Sequence, residues 1–428
     1  MRSKLRSAGR RVAESKHAFE AGREIADLPR DEEGRARIVC RRHAERRAVP
    51  LDDRGRPVCY EADHPDCEGC VEDVREGRVL AGGSGTRLYP ASRADRPKQL
   101  LSVGDDDRSL LARTLDRVAA ADRRVVLTGP DHADRVRDHL ADREDISPAD
   151  VWVEPAPRDT GPALVYAAAR ARETFEDPVL CCLPSDHHVS GDFDAVLRRA
   201  TAAAVETRGL VCVGVEPDRP ATGYGYVRPS EAADGYAPVE TFHEKPDADR
   251  ARGLVEAGAL WNAGVFAWTP DALLSAAADT PLGPLVRAVA GDSDGDGGEG
   301  EDGESDGLAA PEAAYGDLDP VSVDCAVLER ADDVFVVPAD GIEWDDLGTW
   351  DALARVLPAD ADGNVVDGDA LTVDAENTVI AAEGAHVAVV GVEDLVVAAV
   401  DDRVLVVPRG ETDRVREVVA RLREKGRF

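Results

Sequence analysis

Residues 80–101 read LAGGSGTRLYPASRADRPKQLL. Three glycines, Gly82, Gly83 and Gly85, fall within four positions, and Thr86 and Arg87 follow at once. With no Cβ in the way, a glycine run lets backbone N–H groups crowd around an anion. Arg87 adds a permanent fork of donors, and Lys98 adds a compact ammonium further on. Such a set suits a polyphosphate. It is not the P-loop, which needs Gly-Lys-Ser/Thr after its last glycine, nor the dinucleotide fingerprint G-x-G-x-x-G. Lysine is scarce: the chain has five (Lys4, Lys16, Lys98, Lys245, Lys425) among 52 basic residues. Two of them, Lys98 and Lys245, fall in candidate site segments.

Upstream of the loop only Val79 and Leu80 are apolar, after the polar stretch REGR (75–78). The strand that should feed the loop is therefore expected to be cut short. Downstream, RVVLTG (124–129), PVLCCLP (178–184) and GLVCVGV (209–215) are short apolar runs fit for buried parallel strands. SLLARTLDRVAAA (109–121) and GPALVYAAARARETF (161–175) read as helices between them. This alternation predicts an α/β domain over 79–358, a doubly wound mixed sheet with ligands at the carboxyl ends of its strands. Within it, GDSDGDGGEGEDGESDG (291–307) has the composition of a disordered acidic surface loop. From 359 to 428, valine-rich runs broken by Gly, Asp and Asn predict a C-terminal β-rich, short β-helix-like domain closed by a helix.

The 428 residues carry a formal net charge of −33. That balance argues against nucleic acid or an anionic membrane as a partner. With few lysines and few aromatics it matches halophilic composition, for which low salt is destabilising because self-repulsion goes unscreened. No apolar run approaches the ~20 residues of a membrane span, and no signal-peptide core is present, so a cytoplasmic protein is expected. Charge is unevenly spread: residues 1–78 hold 18 basic and 17 acidic side chains, and residues 79–428 hold 34 and 68. The first stretch reads as a separate module. It begins with a helix over 1–28 that Pro29 ends. Cys40, Cys59, Cys67 and Cys70 follow, with His43 and His64 as alternates, spaced for a tetrahedral zinc site in a small zinc-ribbon-like fold.

The segment GGSGTRL with its later PKQ resembles the signature loop of the sugar-phosphate nucleotidyltransferases, the sugar-nucleotide pyrophosphorylases. LPSDHH (183–188), WDDLGTW (344–350), EPAPRDTGPA (154–163), ATGYGYVRP (221–229), FHEKPD (242–247) and LWNAGVFAW (260–268) match that family in the same order. The combination of RDTGPA, LWNAGVF and WDDLGTW looks most like mannose-1-phosphate guanylyltransferases. VDCAVLER (323–330) also fits the family pattern and is read as structural. The resemblance implies a Rossmann-like fold over roughly 79–410. It implies nucleotide contacts along Leu80, Ala81, Gly82, Gly83, Ser84, Gly85 and Thr86, at Arg158 and Thr160, and at Pro184 and Ser185. Asp159 stands where the family usually has Asn. Sugar-phosphate contacts are implied at Gly223, Tyr224, Gly225, Glu244, Lys245 and Asn262, and Mg²⁺ on Asp186 and Asp346.

The reaction so implied joins GTP and mannose 1-phosphate into GDP-mannose and pyrophosphate by in-line attack, with Arg87 and Lys98 as catalytic cations. The alternatives are glucose 1-phosphate with UTP or dTTP, or a non-catalytic regulator on the same fold. A homo-oligomer is compatible with the sequence. About 78 residues follow Trp350, too few for both the β region and the cupin isomerase domain of longer members, so isomerase activity is not expected.

Overall fold

The computed structural model describes residues 37–38, 49–50, 75–80, 86–104, 106–147, 150–230, 235–290 and 309–428. Two compact units divide the chain, Met1–Asp73 and Val74–Phe428. In the first, Arg37–Ile38 pairs antiparallel with Val49–Pro50. The helix expected over 1–28, the zinc candidates Cys40, His43, Cys59, His64, Cys67 and Cys70, and the acidic run 291–307 lie outside the described residues.

The second unit is built on nine strands: β1 (Arg75–Leu80), β2 (Arg123–Thr128), β3 (Val151–Val153), β4 (Val179–Pro184), β5 (Leu210–Val215), β6 (Tyr226–Pro229), β7 (Ala237–His243), β8 (Leu260–Trp268) and β9 (Val334–Pro338). They lie in the order β5-β9-β7-β6-β8-β4-β1-β2-β3, with β5 also pairing with β8. β1 to β4 are mutually parallel, whereas β8 runs antiparallel to β4 and β6. The sheet is therefore mixed, as expected.

The shortened first strand is a correction. REGRVL forms all six residues of β1, running beside β4 from Arg75↔Val179 to Leu80↔Pro184 and beside β2 from Glu76↔Arg123 to Leu80↔Leu127. A strand flanked on both edges satisfies its backbone groups through its neighbours. Here the apolar partners VLCCLP and RRVVLT carry the pattern that β1 itself lacks.

Helices cover both faces of the sheet. On one side, Leu164, Val165 and Ala168 of the helix Thr160–Thr174 pack with Trp268, Leu273 and Tyr315. On the other, Leu111, Val136, Val196 and Ala200 pack with Val126 and Val211. A third cluster joins Leu88, Tyr89 and Leu110, just after the glycine loop, to Trp350, Leu353, Val396, Leu405 and Val415. It fastens the C-terminal part onto the segment that leaves the nine-stranded sheet.

That part stacks β10 (Val365–Val373), β11 (Val379–Val390) and β12 (Leu395–Val400) in parallel, with β13 (Arg403–Pro408) antiparallel to β12. Turn residues Asp374, Asn377, Asp394 and Asp401 adopt left-handed φ, a conformation Asn and Asp tolerate. Buried Asn364 donates to the Ala375 carbonyl at 2.7 Å and accepts from Thr378 N at 3.0 Å, pinning one turn to the next. The helix Val415–Glu424 closes the chain. No helix among the described residues is long and apolar enough to cross a membrane.

Candidate active site

Beyond the carboxyl ends of β2, β3 and β4 lies a cavity of about 570 Å³. Leu127 belongs to β2, Glu154 follows β3, Pro184 ends β4, and Asp186 lies two residues further on. The opposite wall comes from Gly223–Gly225, Glu244, Asn262 on β8, Asp324, Trp344 and Asp346.

Lys98 sits where the two acidic segments meet. Its side chain is buried, its Nζ lies 2.8 Å from Asp186 Oδ2, and it donates to the Asp346 carbonyl at 2.7 Å. Asp346 Oδ1 accepts from Tyr224 Oη at 3.2 Å and Gly348 N at 3.0 Å. Burial pushes the Asp186 carboxyl up, but the charges of Lys98 and His187 more than offset it, holding Asp186 below the usual carboxylate range. His187 is held below its ordinary value, chiefly by burial, and its Nδ1 accepts from Trp344 Nε1 at 3.2 Å. Mg²⁺ is commonly held by one or two carboxylates together with substrate phosphates. Asp186 and Asp346, both lining the cavity and joined through Lys98, fit that donor set. Among the described residues no group of three or more His, Cys, Asp or Glu is placed to hold a metal ion by itself.

At the β3 end, Glu154 is buried and Tyr315 Oη donates to its Oε2. Burial, only partly opposed by that hydrogen bond, raises its pKa. Thr160 lines the cavity at the start of its helix, its Oγ1 accepting from Val323 N at 3.0 Å. Asp159 caps the same helix, accepting from Thr160 N at 2.7 Å.

At the other end, Asn262 N donates to the Gly225 carbonyl at 2.8 Å. A Cβ on Gly225 would stand 2.6 Å from Glu244 Oε2, so a side chain there would displace that carboxylate from its present place. Lys245, at φ 45°, forms an ion pair with Glu244. Tyr224 packs edge-on against Trp261 and Trp344, with centroids 5.0 and 5.1 Å away.

The structure thus gathers Thr160, Pro184, Asp186, Gly223, Tyr224, Gly225, Glu244, Asn262 and Asp346 on one cavity, with Lys98 and Lys245 bonded to its lining. Four expected residues, Thr86 among them, do not line it. Arg87 is not among the lining residues; its Nε lies 3.7 Å from Asp413 Oδ1 near the C-terminal helix. The Arg158 guanidinium donates to the Gly316 carbonyl, and its own carbonyl accepts from Val321 N. Ser185 is fully buried, and its carbonyl accepts from Thr114 Oγ1 at 3.3 Å. Thr86 begins a short 3₁₀ turn to Leu88, and Leu80 ends β1. Ala81, Gly82, Gly83, Ser84 and Gly85 lie outside the described residues. Sequence reasoning left Glu154 and Asp324 without roles. The signal for Asp324 was an acidic residue entering an otherwise apolar run, VDCAVL.

A cavity of this size at the strand ends, with a lysine between two acidic segments, is suited to phosphate chemistry. Residues 77–363 match the nucleotidyl transferase family, and the chain belongs to it. Residues 368–422 match the MannoseP isomerase/GMP-like beta-helix domain, and residues 1–81 a family of unknown function, DUF7091. The xanthan biosynthesis protein XanB of Xanthomonas campestris is 36% identical over 354 residues, covering 82% of this chain and 73% of the relative. A mannose-1-phosphate guanylyltransferase of Escherichia coli is 34% identical, covering 82% and 74%. A crystal structure described as mannose-1-phosphate geranyltransferase from Thermus thermophilus superposes with a TM-score of 0.71 at 34% identity, covering 82% of this chain and all of that one.

Proposed function

We propose that this protein transfers the guanylyl group of GTP to mannose 1-phosphate, yielding GDP-mannose and pyrophosphate. The observation that carries the reading is Lys98, held between Asp186 and Asp346 in a cavity whose far wall is Gly225, Glu244 and Asn262. Cations and phosphate-handling carboxylates stand at one end and hydroxyl-binding groups at the other. The similarity to a mannose-1-phosphate guanylyltransferase over 82% of the chain supports the sugar and the base.

In the reaction a phosphate oxygen of the sugar bonds to the α-phosphorus of GTP as the bond to the pyrophosphate oxygen breaks in line. The nucleophile is already ionised, so no general base is needed, and positioning and charge stabilisation do the work. Lys98 stabilises the charge on the reacting phosphates, and Lys245 steadies the incoming phosphate. Arg87 is the third cation assigned to those phosphates, its half-exposed side chain standing beside Asp413. Asp186 and Asp346 would hold Mg²⁺, whose chemistry there is Lewis-acid neutralisation of phosphate charge. Glu154 supplies a buried carboxylate to the guanine edge, whose N1–H and N2–H donors stand side by side; uracil and thymine offer no such pair.

The charge of the second unit supports work in a salty cytoplasm. In the first unit, the spacing of Cys40, Cys59, Cys67 and Cys70, with His43 or His64 as alternates, supports a zinc site. Elemental analysis of the full chain is expected to find about one zinc per molecule, and none would refute that site. For the reaction, protein supplied with GTP and mannose 1-phosphate should form GDP-mannose identifiable by mass. A folded sample that forms none would overturn the reading.

A further inference from the structure

Asp324 begins a five-residue π-helical turn, Asp324–Leu328, and lines the cavity with Glu244, Asn262 and Gly225. Single π turns are frequent at functional sites, and the reaction derived above leaves this carboxylate unused. Its Oδ1 accepts from Asn262 Nδ2 at 2.7 Å. On the same amide, the Asn262 Oδ1 accepts from Gly264 N at 3.1 Å. A side-chain amide has two N–H donors and an oxygen with two lone pairs. One donor and one lone pair of Asn262 therefore remain for a ligand, and their direction is set. Flipping the amide would bring its oxygen against Asp324 and its NH₂ against the Gly264 N–H, losing both bonds.

We propose that Asp324 is a positioning residue for the sugar 1-phosphate: it locks the Asn262 amide in one orientation, so that this amide and the Glu244 carboxylate meet the sugar hydroxyls in a fixed geometry. This rests on the nucleotidyl-transfer reading above. A rigid amide flanked by two carboxylates discriminates between polyols by the direction of their O–H groups, since a mismatched hydroxyl leaves a cavity group unpaired.

The surroundings of Asp324 give the assignment a pH signature. Facing it are Glu244 and Lys245 on the segment after β7, Asn262 on β8 and the Cys212 thiol on β5. Asp159 lies near Lys245, and Glu329, in its own segment, accepts from Glu244 N at 3.1 Å. Burial first, and then the Glu244 charge, push Asp324 up to about 7, opposed by Lys245 and the Asn262 bond. The carboxyl is protonated below that value and charged above it, and the charged form is the stronger acceptor. Binding of the sugar 1-phosphate therefore tightens as pH rises through about 7.

The test is steady-state kinetics and calorimetric binding on the full chain, using Asp324→Ala, Asp324→Asn, Asn262→Ala and the double variant Asp324→Ala/Asn262→Ala. Asp324→Ala should raise KM and Kd for mannose 1-phosphate about tenfold, with KM for GTP unchanged. In the Asn262→Ala background the same change should have little further effect, because the two act as a unit. Asp324→Asn, which keeps the shape, should remove the inflection near pH 7 from the sugar's kcat/KM. Ionisation of the substrate phosphate is common to both proteins, so their difference isolates Asp324. A sugar KM within about twofold of the parent in Asp324→Ala, or equal losses for GTP and sugar, would overturn the proposal. If Asp324→Ala fails to fold, an unaltered inflection in Asp324→Asn overturns it. Failure of the underlying reading looks different: the parent chain itself would neither bind nor turn over a sugar 1-phosphate.

Discussion

At Lys98 a single nitrogen serves two partners, the Asp186 carboxylate and the Asp346 carbonyl. Removing it takes away a preorganised cation and leaves Asp186 without the charge that holds its pKa down. Lys98→Ala should lower kcat by roughly 10²–10³, by analogy with loss of one preorganised donor. The accompanying KM values and thermal melts will separate lost chemistry from lost folding, and near-normal turnover would remove Lys98 from the reaction. Glu154 is the proposed partner of the guanine edge. Glu154→Gln replaces an acceptor with a group that offers a donor to guanine, so KM for GTP should rise at least about tenfold while KM for the sugar stays constant. An unchanged KM for GTP would place the guanine edge elsewhere. Much of the site was legible residue by residue, since Asp186, Asp346, Glu244, Asn262 and the Gly-Tyr-Gly run stand in short motifs and meet at the cavity. Asp324 was not. Its segment reads as an apolar packing turn, and its role depends on Asn262, 62 positions away. Arg87 shows the converse: a motif names a side chain, but a rotatable guanidinium beside Asp413 takes its direction from a segment far along the chain.

Among elements, the segment Trp350–Val356 connects the site to the C-terminal strands. Trp350 is buried and its Nε1 donates to the Tyr89 carbonyl at 3.1 Å, just beyond the glycine loop. Asp351 accepts from Arg409 Nε at 2.8 Å and Thr412 Oγ1 at 3.0 Å. Trp350→Phe keeps most of the packing and strands the carbonyl, so it should destabilise the protein by about 1–3 kcal/mol in chemical denaturation. A change near zero would mean that the carbonyl finds another partner. Strand β1 marks where element reading from sequence stops. A central strand is specified by its neighbours' ladders, and REGRVL carries no apolar run of its own to announce it. The strands β2, β4 and β5 were legible because their apolar runs are buried. The valine-rich C-terminal repeats were legible through their Gly, Asp and Asn turns.

Over the whole molecule, 68 acidic against 34 basic side chains in residues 79–428 make self-repulsion the dominant long-range force. At roughly 1 M salt the Debye length is about 3 Å, so distant charges cease to oppose compaction. The melting temperature should therefore rise steadily from low to molar KCl, and a flat or falling dependence would refute the halophilic expectation. The central claim concerns chemistry, and one assay reaches it directly. Pyrophosphate release is measured in molar KCl with Mg²⁺, over a matrix of GTP, UTP and dTTP against mannose 1-phosphate and glucose 1-phosphate. Turnover is predicted with GTP and mannose 1-phosphate, well above every other pair. Turnover centred on another pair would contradict the assigned substrates, and none with any pair, in folded protein, would contradict nucleotidyl transfer itself.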